Sequence, residues 1–135
     1  MKPLNVLIME DDLVSIEFLD EILSGYGQVD IAESGKDALH AFHMAHARSQ
    51  PYDLITLDIG MPDISGNEVL DKIREWEYTK GFVGQEEEVK IIMVTAEKRM
   101  KERIRSLRKG CEEFISKPIE KEKIASTLLK LGLID

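Results

Sequence analysis

Five short apolar runs, separated by stretches of helical periodicity, set what this chain can fold into. The runs are Val6-Leu7-Ile8-Met9, Val29-Asp30-Ile31-Ala32, Leu54-Ile55-Thr56-Leu57, Ile91-Ile92-Met93-Val94 and the shorter Phe114-Ile115. After the first, Ile16, Leu19 and Ile22-Leu23 share one helix face, and Gly25 and Gly27 end it. Ser34 opens a second helix with Asp37 at capping-box spacing, and Ala38, Leu39, Phe42 and Ala45 form its buried face. Ser65-Gly66-Asn67-Glu68 repeats the spacing for a third helix, with Val69, Leu70, Ile73 and Trp76 as its stripe and Gly81 and Gly84 at its exit. Lys98 to Lys109 reads as a basic fourth helix closed by Gly110, and Ile124, Leu128 and Leu131 mark a fifth. Strand and helix alternate throughout, which predicts an α/β fold: a doubly wound, five-stranded parallel sheet with five helices on its two faces. Right-handed crossovers leave few topologies. The 135 residues suit one domain, expected to span residues 1–135, with no repeat and no linker.

A parallel sheet brings the C-terminal ends of its strands to one edge, where ligands bind. After the first run come Glu10 and Asp11, after the third Asp58, after the fourth Thr95 and after the fifth Lys117. Three carboxylates, a hydroxyl and an ammonium are thus expected in one small pocket. Close carboxylates repel unless a cation neutralises them. Hard oxygen donors without a neighbouring cysteine favour magnesium, or manganese, over zinc. Magnesium keeps positions open for phosphate oxygens, so Asp58 is a candidate nucleophile that would form an aspartyl-phosphate. The metal and Lys117 would balance charge on the transferring group, and Thr95 would donate a hydrogen bond to it.

Net charge narrows the partners. At −8, the chain as a whole does not suit nonspecific binding to nucleic acid. No apolar run approaches membrane-spanning length, and no long apolar segment follows Met1-Lys2-Pro3-Leu4, so neither membrane insertion nor a secretory signal is expected. Cys111, the single cysteine, has no partner for an internal disulfide, and a cytoplasmic location is expected.

Four stretches together resemble the receiver domain of bacterial two-component response regulators: Val6 through Glu10-Asp11-Asp12; Asp58-Ile59-Gly60-Met61-Pro62 with Gly66; Val94-Thr95-Ala96; and Gly110 through Phe114 to Lys117-Pro118. The resemblance covers about residues 4–131. It implies a flavodoxin-like sheet of order 2-1-3-4-5. It further implies Asp58 as phosphoacceptor, with Asp11 and Asp58 binding Mg2+ directly, Glu10 through water and Gly60 through its backbone carbonyl. Thr95 and Lys117 would contact the phosphoryl group, Phe114 would turn inward when Thr95 moves, and the Lys117-Pro118 bond would be cis. The chain would then be a signalling phosphoacceptor rather than an enzyme, assisting its own phosphorylation and dephosphorylation. Its donor would be a sensor histidine kinase or a histidine phosphotransfer protein. Output would be a protein target or self-association on the face of the fourth helix, fifth strand and fifth helix, without direct contact to nucleic acid.

Other features have plainer readings. Asp12 is expected only to cap the first helix, and Ser65 to cap the third where the family often has aspartate. The segment Thr79 to Val89, longer than is usual in the family, is expected to be a solvated loop. Seven basic residues (Lys98, Arg99, Lys101, Arg103, Arg105, Arg108 and Lys109) suggest an acidic partner for the fourth helix. His40, His43 and His46 are expected to form a polar flank rather than a metal site. Ser34-Gly35-Lys36-Asp37 is not a phosphate-binding loop, lacking the upstream glycine and the following Ser or Thr. An aspartyl-nucleophile phosphatase would need an acid at Gly60. A phosphorylation-independent interaction module would be expected to have lost acidic or lysine positions.

Overall fold

All five apolar runs form strands, and a helix follows each one. The computed structural model describes residues 2–135; Met1, where the expected unit begins, lies outside the described residues. The strands are β1 (Leu4–Met9), β2 (Gly27–Ala32), β3 (Leu54–Leu57), β4 (Lys90–Thr95) and β5 (Glu113–Ser116). The helices are α1 (Leu13–Leu23), α2 (Gly35–Ala47), α3 (Gly66–Lys80), α4 (Met100–Arg108) and α5 (Lys121–Lys130). Every strand pair is parallel, in the order β2-β1-β3-β4-β5. The predicted sheet and topology are therefore observed.

Residue parity in the central strands divides the core into two layers, because successive side chains point to opposite faces. Leu7, Met9, Ile55, Leu57, Ile91 and Met93 pack with Ala38 and Phe42 of α2 and Val69, Leu70 and Ile73 of α3. Val6, Ile8, Leu54, Ile92 and Val94 pack on the other face with Leu19, Ile22 and Leu23 of α1 and Ile124 and Leu128 of α5. Burial on both faces explains why β3 reads as a continuous apolar run instead of an alternating one.

The helix starts follow the expected chemistry. Asp12, Ser34 and Ser65 accept hydrogen bonds from the backbone N–H of Ser15, Asp37 and Glu68 at 3.1, 3.1 and 3.2 Å. Gly81, at φ 76°, closes α3, and Gly110, at φ 96°, follows α4; both lie where a side chain is strained. Two boundaries need correction. Helix α4 begins at Met100, not Lys98, because Glu97 accepts from the backbone and guanidinium of Arg99 and holds that segment in a turn. Helix α3 runs on through Lys80, so Thr79 is helical and the connection to β4 is shorter than expected.

Helix α4 is attached in an unusual way. Ser106 is its one buried residue, whereas Met100, Ile104 and Leu107 are exposed. The Ser106 hydroxyl donates to Oδ1 of buried Asn67 at 2.6 Å, and Nδ2 of Asn67 donates to Glu102 Oε2 at 3.0 Å. Lys109 pairs with Asp71 of α3, and the Arg103 guanidinium lies 4.6 Å from the Phe114 ring centroid.

A second polar knot ties α3 to the N-terminal ends of β4 and β5. Arg74 reaches Glu77 at 2.6 Å, both carboxylate oxygens of Glu112 at 2.6 and 2.9 Å, and the Gly110 carbonyl. The remaining Glu77 oxygen accepts the Val89 N–H at 2.7 Å, and Glu112 also accepts from Ile91. Beside it, His43 and His46 lie against aromatic rings: His46 is 4.5 Å from Trp76 between centroids and 5.9 Å from Phe82. Part of the expected polar flank is thus an aromatic stack; His40 alone of the three stays outside it. Among the described residues, no helix is long and apolar enough to cross a membrane.

Candidate functional site

Four strands deliver five side chains to one rim. Glu10 and Asp11 leave β1, Asp58 leaves β3, Thr95 ends β4 and Lys117 follows β5. One carboxylate oxygen each from Glu10, Asp11 and Asp58 lie within 4.8 Å of one another. Glu10 and Asp58 are buried and Asp11 is exposed, so the cluster opens to solvent on the Asp11 side.

Asp58 is gripped on both oxygens. The Thr95 hydroxyl donates to Oδ1 at 2.6 Å and the Gly60 N–H to the same atom at 3.0 Å. The Lys117 ammonium donates to Oδ2 at 3.0 Å and lies 2.6 Å from Oε1 of Glu10. That second contact holds the buried Oε1 of Glu10 against the ammonium as an ion pair. The other Glu10 oxygen accepts the backbone N–H of Asp11 and Asp12 at 3.1 Å each. Lys117 is itself placed by its backbone N–H on the Thr95 carbonyl at 2.9 Å, and the following bond to Pro118 is cis.

Burial and pairing act against each other here. Burial pushes the Glu10 carboxyl above its ordinary range despite the Lys117 contact. Burial also works to raise Asp58, but the Thr95 hydroxyl, the Gly60 amide and Lys117 outweigh it and hold that carboxyl below its ordinary value. Burial would lower Lys117, and its two carboxylate partners more than offset this. Asp58 therefore stays ionised at neutral pH and faces a charged ammonium.

Lys117 pairs with two of the three clustered carboxylates, Glu10 and Asp58, and the third, Asp11, is exposed beside them. This donor set fits a hard divalent ion that takes carboxylate and carbonyl ligands. Asp58, Gly60, Thr95, Ala96, Glu97 and Lys98 line an open groove over the cluster. A second concavity, between β2 and α2 and lined by Asp30, His40, Arg48 and Tyr52, has none of these groups. The histidines contribute to no metal-ligand cluster among the described residues.

Phe114 stands apart from the acidic cluster. The register pairs Thr95 with Ser116, so Phe114 lies two residues earlier on β5, half-buried under Arg103. Asp12 caps α1, as expected.

Sequence reasoning missed Asp63. Its two carboxylate oxygens accept the Gly35 and Lys36 N–H groups, each at 2.9 Å, at the first turn of α2. These amides hold its carboxyl down to about 2. A protein carboxylate thus occupies the helix terminus that a phosphate would need in a phosphate-binding loop. The proximity is long-range, and only the pairing of an acidic loop residue with a Gly-Lys helix start hinted at it.

The family model described as "Response regulator receiver domain" matches residues 6–129. Hybrid signal transduction histidine kinase L of Dictyostelium discoideum is 38% identical over 128 residues, covering 94% of this chain and 7% of that protein. The response regulator ArlR of Staphylococcus haemolyticus is 32% identical over 121 residues, covering 89% of this chain and 48% of that protein. The chain thus spans half or less of either relative's length. Among solved structures, the CheX-CheY-BeF3-Mg+2 complex of Borrelia burgdorferi matches with TM-score 0.82 at 25% identity, covering 98% of this chain and 91% of that chain. The BeF3-activated DrrB receiver domain matches with TM-score 0.79 at 19% identity, covering 98% and 100%.

Proposed function

This chain belongs to the response regulator receiver domain family of two-component signalling, and on that premise we propose that Asp58 is its phosphoacceptor, in a Mg2+-dependent reaction. A histidine kinase or a histidine phosphotransfer protein is the donor. A carboxylate oxygen of Asp58 forms a bond to phosphorus, the phosphorus–nitrogen bond of the donor phosphohistidine breaks, and the ring, already protonated on its other nitrogen, leaves as neutral imidazole. The product is an acyl phosphate, which water later hydrolyses to restore the carboxylate.

Asp11 and Asp58 would hold Mg2+ directly, Gly60 through its carbonyl and Glu10 through water; the ion supplies positive charge to the transferring oxygens and relieves the repulsion among the carboxylates. The Lys117 ammonium, now on Asp58 Oδ2, pairs with a phosphoryl oxygen. The Thr95 hydroxyl, now on Oδ1, turns to another. Losing the Thr95 contact in its present form biases a pre-existing equilibrium that includes Phe114 and the α4 face. Residues 4–131 act as the receiver unit in the cytoplasm, and the chain signals rather than turning over a substrate. Its output is a protein contact on α4, β5 and α5, where the basic residues favour an acidic partner.

The observation that supports this reading is the convergence of Glu10, Asp11, Asp58, Thr95 and Lys117 from four separate strand ends. Incubation with acetyl phosphate and Mg2+ should add one phosphoryl group by mass spectrometry. Asp58→Asn should add none. Incorporation that persists in this variant, or that proceeds equally in chelator, would contradict the reading.

A further inference from the structure

The loop from Asp58 to Gly66 carries Gly60, whose N–H lies on Asp58 and whose carbonyl is the proposed ligand. The base of this loop is closed tightly. The Met61 and Gly66 N–H groups both donate to the Ile59 carbonyl, at 3.0 and 3.2 Å. A Cβ on Gly66 would come 2.4 Å from the Asp58 carbonyl oxygen, so only glycine permits that approach. Gly60 itself is exposed, and around it packing supplies nothing: a Cβ there would meet only the Asp58 carboxylate, at 3.8 Å. Its position therefore depends on what anchors the loop on either side.

On the far side the anchor is Asp63. Its two oxygens take the Gly35 and Lys36 amides separately, a two-point grip that resists rotation. Ile64 presses on the same turn, where a Cβ at Gly35 would lie 2.7 Å from the Ile64 carbonyl oxygen. Helix α2 is fixed in turn by Ala38 and Phe42 in the core. The loop is thus clamped between the end of β3 and a rigid helix.

We infer that Asp63 is a positioning residue for the Asp58 site: its grip on the first turn of α2 holds Gly60 in place to serve the bound cation. The inference rests on the phosphoacceptor reading above. Groups that orient metal ligands from behind typically contribute about 10- to 100-fold to metal affinity.

The test compares Mg2+ affinity, by titration of backbone amide NMR shifts, in wild type, Asp63→Ala, Asp63→Asn and Ser34→Ala. Ser34→Ala removes another hydrogen bond from the same helix start, the one to the Asp37 N–H, without touching the loop. Asp63→Ala should weaken Mg2+ binding about tenfold. Asp63→Asn, isosteric but with one acceptor fewer, should fall between it and wild type and guards against simple unfolding. Ser34→Ala should bind Mg2+ as wild type does. Phosphorylation by acetyl phosphate should slow in Asp63→Ala at limiting Mg2+ and recover at saturating Mg2+. Unchanged Mg2+ affinity in both Asp63 variants, with faster hydrogen exchange at Gly35 and Lys36, would overturn the inference by confining Asp63 to helix capping. Equal weakening in Ser34→Ala would overturn it by assigning the effect to helix stability. A wild type that binds no Mg2+ would instead overturn the phosphoacceptor reading, and this inference with it.

Discussion

Two groups of carboxylates gather around one cation at opposite edges of the same sheet. At the C-terminal rim, Glu10 and Asp58 hold Lys117, with Asp11 beside them. At the N-terminal edge, Glu77 and Glu112 surround Arg74. Both carry surplus negative charge, but they resolve it differently. The Arg74 fork and the Val89 and Ile91 amides satisfy every carboxylate oxygen in their group. A single ammonium at the rim pairs with Glu10 and Asp58 and leaves the third carboxylate, Asp11, facing solvent. One group is closed and structural; the other is open and suited to a further cation. Carboxylates around a cation do not by themselves define a binding site. A third carboxylate open to solvent does.

The sharpest way to break this contrast is to remove each cation. Arg74→Met strands two carboxylates in a closed pocket and should cost about 3 kcal/mol in urea denaturation at pH 7. Lys117→Met leaves Glu10 and Asp58 with two donors each, against one each for Glu77 and Glu112, and should cost less than half of that. Equal losses would erase the distinction. Metal comes next: Mg2+ at tenfold over its dissociation constant should stabilise the wild type by about 1.4 kcal/mol. Asp11→Asn should lose most of this gain, whereas Glu112→Gln should keep it.

Proton linkage should run in opposite directions at Asp58 and at the closed group when metal is absent, while Glu10 at the rim shares the sign of the closed group. Burial raises Glu77 and Glu112 above the ordinary value of 4.5, so their contribution is full below 4.5 and is lost as pH rises through their folded values. Stability of wild type relative to Glu77→Gln should therefore fall as pH rises above 4.5. Asp58 is depressed below 3.8, so its contribution is full above 3.8 and is lost as pH falls through its folded value. Relative to Asp58→Asn, wild type should lose stability only in acid; a slope parallel to the one measured against Glu77→Gln would refute the contrast.

The smallest effect belongs to the histidine stack beside the closed group. Burial against the rings, with His43 nearby, lowers His46 below 6.5, so its contribution is present above that value and fades as pH falls through its folded value. Fluorescence of Trp76, the one tryptophan, should report that titration with a midpoint below 6.5 and lose the step in His46→Gln.

Much of the open site was legible because alternation alone brings strand ends to one rim. Glu10, Asp11, Asp58, Thr95 and Lys117 were placed together from their position after each apolar run, and Ser34 and Ser65 were recognised as caps from spacing. The closed group was not legible. Glu77 continues the stripe of Val69 and Ile73 at i+8 and i+4, yet a glutamate reads as solvated until Arg74, Glu112 and the Val89 amide are known to meet it. Asp63 was missed for the same reason: its partners lie 28 and 27 residues away. The start of α4 was set too early because a basic run looks helical, while the Glu97–Arg99 pairing that delays the helix is local geometry. Periodicity reveals which residues face a core; it does not reveal which polar groups find each other there.

Helix α4 carries a thermal consequence. Its single interior side chain is an alcohol, and Met100, Ile104 and Leu107 are already wetted in the native state. Lifting the helix hydrates little new hydrocarbon, so the step should bring only a small heat-capacity increase, unlike melting of the whole domain. Its free energy of release should then vary almost linearly with temperature. The domain as a whole has a temperature of greatest stability, and α4 on its own should show no such maximum and no detachment driven by cold.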